Sequence, residues 1–240
     1  MWDNEVGGRT FAVGQGTSRR FIKWAPAGSP LDLAAEAARM SWARPFHPVP
    51  EPLDQGSDST GSWLVTAALP GDSAVSGRWL AEPATAVTAL GAGLRALHEA
   101  LPAPDCPFSW AAEDRVAAAR REAADGRLRT SGAWHETHQA LTVAAALDRA
   151  AAIPPIDRLV VCHGDACAPN TLISPDGRWC GHVDLGLLGT ADRWADLAVA
   201  TWSTEWNYGP GWERRLLDAY GIQPDPDRTR YYRLLWDLSS

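Results

Sequence analysis

Three polar residues near the middle of the chain have the types and spacing needed for phosphoryl transfer. Asp165 is followed five residues later by Asn170, and Asp184 comes 14 residues after the asparagine. A carboxylate such as Asp165 can orient an acceptor hydroxyl and take its proton. An amide oxygen and a second carboxylate, at Asn170 and Asp184, are the hard ligands that magnesium prefers. This is the spacing of a kinase catalytic loop and its metal-binding segment.

Short apolar segments are predicted to position these residues. A strand over 158–162 leads into His163-Gly164-Asp165, and strands over 171–174 and 179–183 flank the turn Ser174–Gly177 and deliver Asp184. His163 is expected to brace the loop and not to perform chemistry. Ordinary surface turns also contain Asp, Asn, Gly and Pro. The complete order, with each part following an apolar strand, favours the catalytic interpretation.

The surrounding elements divide the chain into a β-rich first part and a mainly helical remainder. Strands are predicted over 9–13, 20–24 and 62–68. A first helix is expected to begin with Ser29 as its N-cap and Pro30 in its first turn, and to run to Ala43. Further helices are predicted over 83–100, 111–124, 136–151, 212–220 and 229–238.

Composition excludes several classes of protein. The 45% apolar content suits a globular core, and the net charge of −7 argues against a nucleic-acid-binding surface. No apolar run is long enough to span a membrane, and the N-terminus lacks the pattern of a signal peptide. Four unpaired cysteines indicate reduced thiols, and with the missing signal they predict a cytoplasmic protein. Only one lysine, Lys23, stands against 21 arginines, so its retention needs a reason.

Four segments resemble the aminoglycoside phosphotransferases, and most closely the 3′-phosphotransferase group. They are LHEALPAPDCPF at 97–108, HGDACAPN at 163–170, HVDLGLLGTADRWADLA at 182–198 and RYYRLLWDL at 230–238. The resemblance implies an α+β, protein-kinase-like bilobal fold. Its N-lobe would cover 1–69, with a shortened start and a hinge at 67–69, and its C-lobe would cover 70–240. It implies ATP-dependent phosphorylation of an antibiotic hydroxyl, with the 3′-hydroxyl of a kanamycin- or neomycin-like drug as the expected position, and hence resistance.

The resemblance also assigns the nucleotide site. Lys23 would reach the phosphates, held by an ion pair with Glu36, while Phe21 lies on the same strand face and would stack on adenine. Backbone groups between Ala67 and Leu69 would hydrogen-bond adenine. The segment from Asn4 to Thr10 is a candidate phosphate loop, although paired glycines in a hairpin turn are common without a ligand.

For the drug site the resemblance implies acidic contacts, because an aminoglycoside carries several ammonium groups. Glu136 and Asp237 match acidic contacts of the family, and Glu205 is a further candidate. Leu187 stands where the family commonly has an arginine, and no leucine can supply its charge. The chain also ends in Leu-Ser-Ser and not in an aromatic residue, which leaves the drug profile open.

Two alternatives remain at this stage. One is a kinase of another small amino alcohol, and the other is a nucleotide- or drug-binding protein whose turnover is impaired by Leu187 and the short N-lobe. The expected cofactors are ATP and Mg²⁺, and the expected partner is an aminoglycoside, with no nucleic acid or membrane. A monomer or weak dimer is expected.

Overall fold

A computed structural model describes residues 2–3 and 7–239 of the chain, which form ten strands and eight α-helices. The strands are β1 (Trp2–Asp3), β2 (Arg9–Val13), β3 (Arg20–Pro26), β4 (Pro52–Ser57), β5 (Gly61–Ala67), β6 (Asp72–Ser73), β7 (Leu159–Cys162), β8 (Thr171–Ile173), β9 (Trp179–His182) and β10 (Gly189–Asp192). The helices are α1 (Leu33–Ala43), α2 (Gly77–Ala81), α3 (Pro83–Ala100), α4 (Ala112–Ala124), α5 (Val143–Ala150), α6 (Trp194–Tyr208), α7 (Glu213–Tyr220) and α8 (Pro226–Ser239).

The first part of the chain is an antiparallel sheet with the order β1-β2-β3-β5-β4. Its three central strands confirm the predictions over 9–13, 20–24 and 62–68 to within a residue or two. The sequence analysis missed β4, because the segment 45–61 is rich in turn-forming residues. Among the described residues that strand lies at the sheet edge, pairs with β5 and has a register shift after Pro52, and an edge strand tolerates proline.

Helix α1 begins later than predicted. Asp32 and not Ser29 is the N-cap, and its carboxylate accepts a hydrogen bond of 2.8 Å from the backbone N–H of Ala35. The Ser29 hydroxyl instead accepts from the N–H of Leu31 in the preceding turn. The predicted end at Ala43 is correct.

The helical part follows the predicted pattern with three corrections, of which the first is the short helix α2, which was not predicted. Helix α5 spans Val143–Ala150, so the predicted start at 136 is wrong, and residues before Thr142 form turns. Helix α6 was not predicted. Its residues from Trp194 to Thr204 are all buried, so its sequence shows no polar face and no amphipathic period.

Two groups of buried side chains hold these elements together. The larger lies among α3, α6, α7 and α8. The smaller joins the sheet and α1 to the helical part, with Leu64 and Met40 packing in the same cluster as Leu97, Leu185 and Leu188. Since Leu185 follows Asp184 directly, this second core fixes helix α1 against the segment that carries the predicted metal ligand.

None of the helices among the described residues has both the length and the apolar character needed to cross a bilayer.

Candidate active site

The loop that follows β7 carries Asp165 and is held in shape by close backbone contacts. Gly164 has φ +86°, a conformation that disfavours any other residue. A Cβ atom at Gly164 would lie 2.3 Å from the carbonyl oxygen of Leu187. The loop then ends in a short 3₁₀ turn over Ala168–Asn170 that leads directly into β8. Glycine is therefore required where the loop crosses the segment after Asp184.

Asp196, on the first turn of α6, anchors the same loop from inside the protein. Its carboxylate accepts hydrogen bonds from the backbone N–H groups of His163 (2.6 Å) and Gly164 (3.0 Å) and from Nε2 of His98 (3.0 Å). Burial would raise the pKa of Asp196, but the hydrogen bond and charge of His98 and the charge of His163 outweigh burial and lower it. Asp196 therefore stays ionised and holds the loop backbone.

Asp165 and Asn170 contact each other directly. The Asn170 amide donates to the backbone carbonyl of Asp165 at 2.9 Å and to its Oδ2 at 3.0 Å. Oδ1 of Asp165 is buried and receives no hydrogen bond from the described part of the chain. The thiol of Cys167 lies beside this carboxylate, and burial together with the charge of Asp165 raises the pKa of the thiol. Asn170 thus fixes one oxygen of the Asp165 carboxylate.

The backbone joins this loop to the segment carrying Asp184. The carbonyl of Asn170 accepts from Val183 N–H at 2.9 Å, and Nε2 of His163 lies 2.9 Å from the carbonyl of Val183. Because Nδ1 of His163 accepts from Asp165 N–H, its Nε2 carries the proton and donates. His163 therefore braces the two segments. Asp184 follows with φ +65° and is the one non-glycine residue with a positive φ in the described chain.

Lys23 connects the sheet to the same place. Its ammonium contacts both carboxylate oxygens of Glu36, at 2.8 and 2.9 Å, and Oδ1 of Asp184 at 2.5 Å. Burial lowers the pKa of Lys23, but the charges of Glu36 and Asp184 outweigh this and raise it to about 12. Burial raises the pKa of Glu36, and the Lys23 ammonium opposes that rise. The predicted lysine–glutamate pair is present, with Asp184 as a third member.

Phe21 lies on β3 together with Lys23, and the segment 67–69 begins at the end of the neighbouring strand β5. Phe21 lies two residues before Lys23 on β3, between Ala12 and Thr66 on the neighbouring strands. The N–H of Ala67 already donates to the carbonyl of Glu51 at 2.9 Å, so it is not available to adenine. Leu69 lies beyond the end of β5 and is partly exposed. In the proposed phosphate loop, Asn4, Glu5 and Val6 lie outside the described residues.

Asn170 and Asp184 fit a divalent cation. Both offer neutral or anionic oxygens, as Mg²⁺ requires, and the hydrogen bond from Val183 to Asn170 brings their strand ends together. The Asp184 side chain is 48% exposed, so a second cation can approach it beside Lys23. The Asn170 amide hydrogens point at Asp165, which turns the amide oxygen away from that carboxylate.

The three acidic residues predicted for substrate binding differ in their surroundings. Glu136 and Glu205 are exposed. Asp237 is buried, and its carboxylate accepts from the His135 N–H at 3.3 and 3.2 Å and from Nδ1 of His138 at 2.6 Å. These contacts tie α8 to the segment that carries Glu136. Asp237 therefore differs from the expected solvent-facing contact, and it holds the Glu136 segment in place.

Sequence reasoning missed three histidines that support the site. His98 on α3 donates to Asp196, while His138 contacts Asp237. His182, two residues before Asp184, is bonded to His47 at 2.8 Å. No local pattern marks these residues, since a lone histidine on an apolar segment carries no spacing signal.

Comparison with known proteins is decisive for the family. The family model described as "Phosphotransferase enzyme family" matches residues 4–232, nearly the whole chain. The chain belongs to the phosphotransferase enzyme family. This confirms the family resemblance found in the sequence, and the small antiparallel sheet followed by a helical part confirms the predicted kinase-like fold.

Three relatives of this phosphotransferase are informative. An aminoglycoside 3′-phosphotransferase of Streptomyces fradiae is 40% identical over 224 residues, covering 88% of this chain and 81% of the relative. A streptomycin 3″-kinase of Streptomyces griseus is 35% identical over 248 residues, covering 95% and 87%. The solved aminoglycoside phosphotransferase APH(3″)-Id of Streptomyces rimosus, in complex with ADP and streptomycin, superposes with a TM-score of 0.75 at 30% identity, covering 92% and 87%.

Proposed function

We propose that this phosphotransferase transfers the γ-phosphoryl group of ATP to a hydroxyl of an aminoglycoside, and most specifically to the 3′-hydroxyl of a kanamycin- or neomycin-type drug. The observation that carries the proposal is the Asp165 carboxylate. Its Oδ2 is fixed by Asn170, and its Oδ1 has no hydrogen-bond donor among the described residues. The Asp165 side chain is partly exposed, so an alcohol bound beside it can donate to this carboxylate, which orients the attacking oxygen and accepts its proton.

Lys23 and Glu36 position the nucleotide. The Lys23 ammonium is held by the Glu36 carboxylate at 2.8 Å and stays protonated, with its pKa raised to about 12. It therefore presents a permanent positive charge to the phosphate oxygens. Phe21 provides an aromatic surface for adenine on the same strand. Because the N–H groups of Ala67 and Ala68 already donate to the carbonyls of Glu51 and Arg19, we assign the adenine contact in the hinge to Leu69.

Asn170 and Asp184 would hold the magnesium that accompanies ATP. When bound, the metal neutralises the charge that develops on the transferring phosphoryl group. In the structure Asp184 is paired with Lys23, so nucleotide binding requires the ammonium to exchange that carboxylate for phosphate oxygens. Lys23 remains attached to Glu36 throughout, which limits its movement.

Acidic side chains bind the drug. Glu136 and Glu205 are exposed and can pair with ammonium groups, while Asp237 and His138 keep the Glu136 segment in place. The net charge of −7 attracts a polycation over a longer range. Adding a phosphate to such a drug places negative charge on a molecule whose ribosome binding depends on positive charge, which accounts for resistance.

A coupled ADP-release assay tests the proposal. Kanamycin should stimulate ADP release by the wild type, and Asp165→Asn, which keeps the size and loses the base, should lower kcat by about 10²-fold or more. An analogue lacking the 3′-hydroxyl should not be turned over. The same assay with streptomycin tests the 3″ position used by one relative, and preferred turnover of streptomycin would overturn the regiochemistry. Absence of drug-stimulated, Asp165-dependent ADP with either drug would overturn the kinase assignment.

A further inference from the structure

The turn that carries Asp184 is contacted from helix α1 on its far side. Nε of Arg39 donates to the backbone carbonyl of Leu188 at 3.0 Å, four residues beyond Asp184. The Arg39 guanidinium also lies over the ring of Phe108, 4.9 Å from its centroid. Arg39 is one helical turn after Glu36 on α1. Helix α1, which orients Lys23 through Glu36, therefore also contacts the chain after Asp184.

A second contact holds the near side of the same turn. The chain leaves α1 at Ala43, and His47 follows, with its N–H bonded to the Ala43 carbonyl at 3.0 Å. Nε2 of His47 lies 2.8 Å from Nδ1 of His182, two residues before Asp184. The backbone N–H of His182 in turn donates to the carbonyl of Pro48 at 3.1 Å. Side chain and backbone thus join the end of α1 to β9.

His47 and His182 form a hydrogen-bonded pair in the protein interior. His47 and His182 are 3% and 2% exposed, and their rings stack with centroids 5.0 Å apart. His47 also stacks almost parallel on Trp179, at 5.4 Å and 6°. Two apolar side chains could fill this space as well, but a hydrogen bond between two rings is directional and fixes one register between the elements that carry them.

Asp184 needs such support. Its φ of +65° is unfavourable for a residue with a side chain, and such conformations persist only where the surroundings impose them. Its direct partner, the Lys23 ammonium, contacts a carboxylate that is 48% exposed, and exposed ion pairs stabilise weakly. The contacts before and after the turn are better placed to impose its backbone conformation.

We propose that Arg39 and His47 are positioning residues that clamp the Asp184 turn from both sides and so set its carboxylate for the magnesium–nucleotide complex. The inference rests on the proposed function in one respect, the role of Asp184 as a metal ligand. The clamp makes helix α1 a common support for both charged groups that meet Lys23: Glu36 lies on it, and Asp184 is held against it.

Fluorescent N-methylanthraniloyl-ADP is the probe for the test, titrated into the full chain with and without MgCl₂. The quantity of interest is the ratio of the two Kd values, which reports how well the metal strengthens nucleotide binding. His47→Leu removes one contact and Arg39→Met removes the other. Each should reduce the magnesium-dependent gain about fivefold or more, while the magnesium-free Kd changes less than twofold.

His47→Gln and Arg44→Met are the matched controls. Glutamine keeps a donor and an acceptor near the position of Nε2, so His47→Gln should restore most of the magnesium gain. Arg44 lies at the same end of α1, but it is exposed and pairs with the exposed Glu51 at 3.1 Å, so its loss should leave the ratio unchanged. Circular dichroism melting confirms that each variant is folded at the temperature of the titration.

The outcomes separate this inference from the proposed function. A folded His47→Leu or Arg39→Met variant with the wild-type magnesium gain would overturn the clamp and leave the kinase assignment standing. Equal weakening with and without magnesium would also overturn it, since a purely structural role has that effect. If the wild type turns over drug but its nucleotide binding ignores magnesium, the metal role of Asp184 and the clamp both fail. If the wild type shows no drug-stimulated turnover but keeps its magnesium response, the kinase assignment fails and the clamp stands.

Discussion

At the scale of single residues, the site depends on one glycine where two loops cross. Gly164 has φ +86°, and its Cα lies against the backbone of Leu187. Gly126 is a matched position, with φ +67° and nothing within 4 Å of an added Cβ. A side chain at either position would have an unfavourable positive φ. At Gly164 it would also clash with Leu187, whereas at Gly126 it would meet no neighbouring atom.

Gly164→Ala should therefore lower kcat by about tenfold or more, because the loop carrying Asp165 must shift to relieve the clash with Leu187. Gly126→Ala should lose only about 1 kcal/mol of stability from backbone strain and keep the wild-type kcat. Steady-state kinetics and urea unfolding of both variants check this. Equal kinetic effects in the two variants would show that the crossing point is not special.

Leu187 is the residue-scale departure from the family pattern. It is 38% exposed, and its backbone lies against the glycine next to Asp165. An arginine introduced at this position emerges beside the catalytic loop, where its fork of donors can reach phosphate oxygens. Leu187→Arg should raise kcat severalfold in the ADP-release assay. An unchanged kcat would show that the chain functions without that charge, and Leu187→Met serves as the uncharged control.

At the scale of elements, helix α6 supports the catalytic loop through its first turn. Asp196 is fully buried and accepts from two backbone N–H groups and from His98. Ser203, two turns later, accepts from the N–H of Ala168 at 2.8 Å and supports the end of the same loop. The helix therefore aligns the loop at both ends.

Asp196→Asn should lower the free energy of unfolding by about 2–4 kcal/mol, because an amide leaves a buried N–H without its acceptor. Asp218→Asn is the comparison, since Asp218 forms an exposed i,i+4 pair with Arg214 at 2.9 Å. Its loss should change the free energy by about 0.5 kcal/mol or less. Urea unfolding of both variants gives the two values, and similar small losses would contradict a supporting role for Asp196.

At the scale of the whole molecule, the buried histidines couple folding to pH. Burial lowers the pKa of His47 from 6.5 to about 4, with smaller contributions from the charges of His163 and His98. The unfolded chain binds a proton on this ring near pH 6.5, whereas the folded chain binds it only near pH 4. Stability is therefore full above pH 6.5 and is lost as the pH falls toward 4.

The His47 contribution to this loss is about 2 kcal/mol between pH 6.5 and pH 5. Urea unfolding of the wild type and His47→Gln at pH 7.5, 6 and 5 measures it. The free energy of the wild type should fall more steeply with acidification than that of the variant. The charge of His47 also lowers the pKa of His182, so the difference reports His47 together with its coupling to His182, and parallel pH profiles would contradict the assignment.

The two parts of the molecule meet through Lys23 and the smaller buried core. Lys23 on the sheet contacts Asp184 in the helical part, and Leu64 packs in one cluster with Leu97 and Leu185. Individually the exposed ion pair is weak, but the buried core beneath it sets the distance between the sheet and the catalytic loop. Nucleotide binding at this junction therefore works on a preformed geometry.

The sequence by itself determined the catalytic loop and most central elements, because these depend on local spacing and period, whereas the Lys23–Glu36 pair was predicted from the family resemblance. An apolar strand followed by a polar turn places Asp165 and Asp184 at strand ends whatever lies further away. Prediction from the sequence failed where tertiary burial overrides the local pattern. Helix α6 is buried from Trp194 to Thr204, and β4 is an edge strand rich in turn-forming residues. Contacts between residues far apart in the sequence could not be predicted either.

Only the tertiary structure decided what surrounds the predicted residues. It brought Lys23 to Asp184 across 161 positions, placed Asp237 under the Glu136 segment and paired His47 with His182 across 135 positions. Each of these contacts joins residues that no repeat or motif links. Their formation depends on how the elements pack, and packing is set by the shape of the whole buried core and not by any one segment.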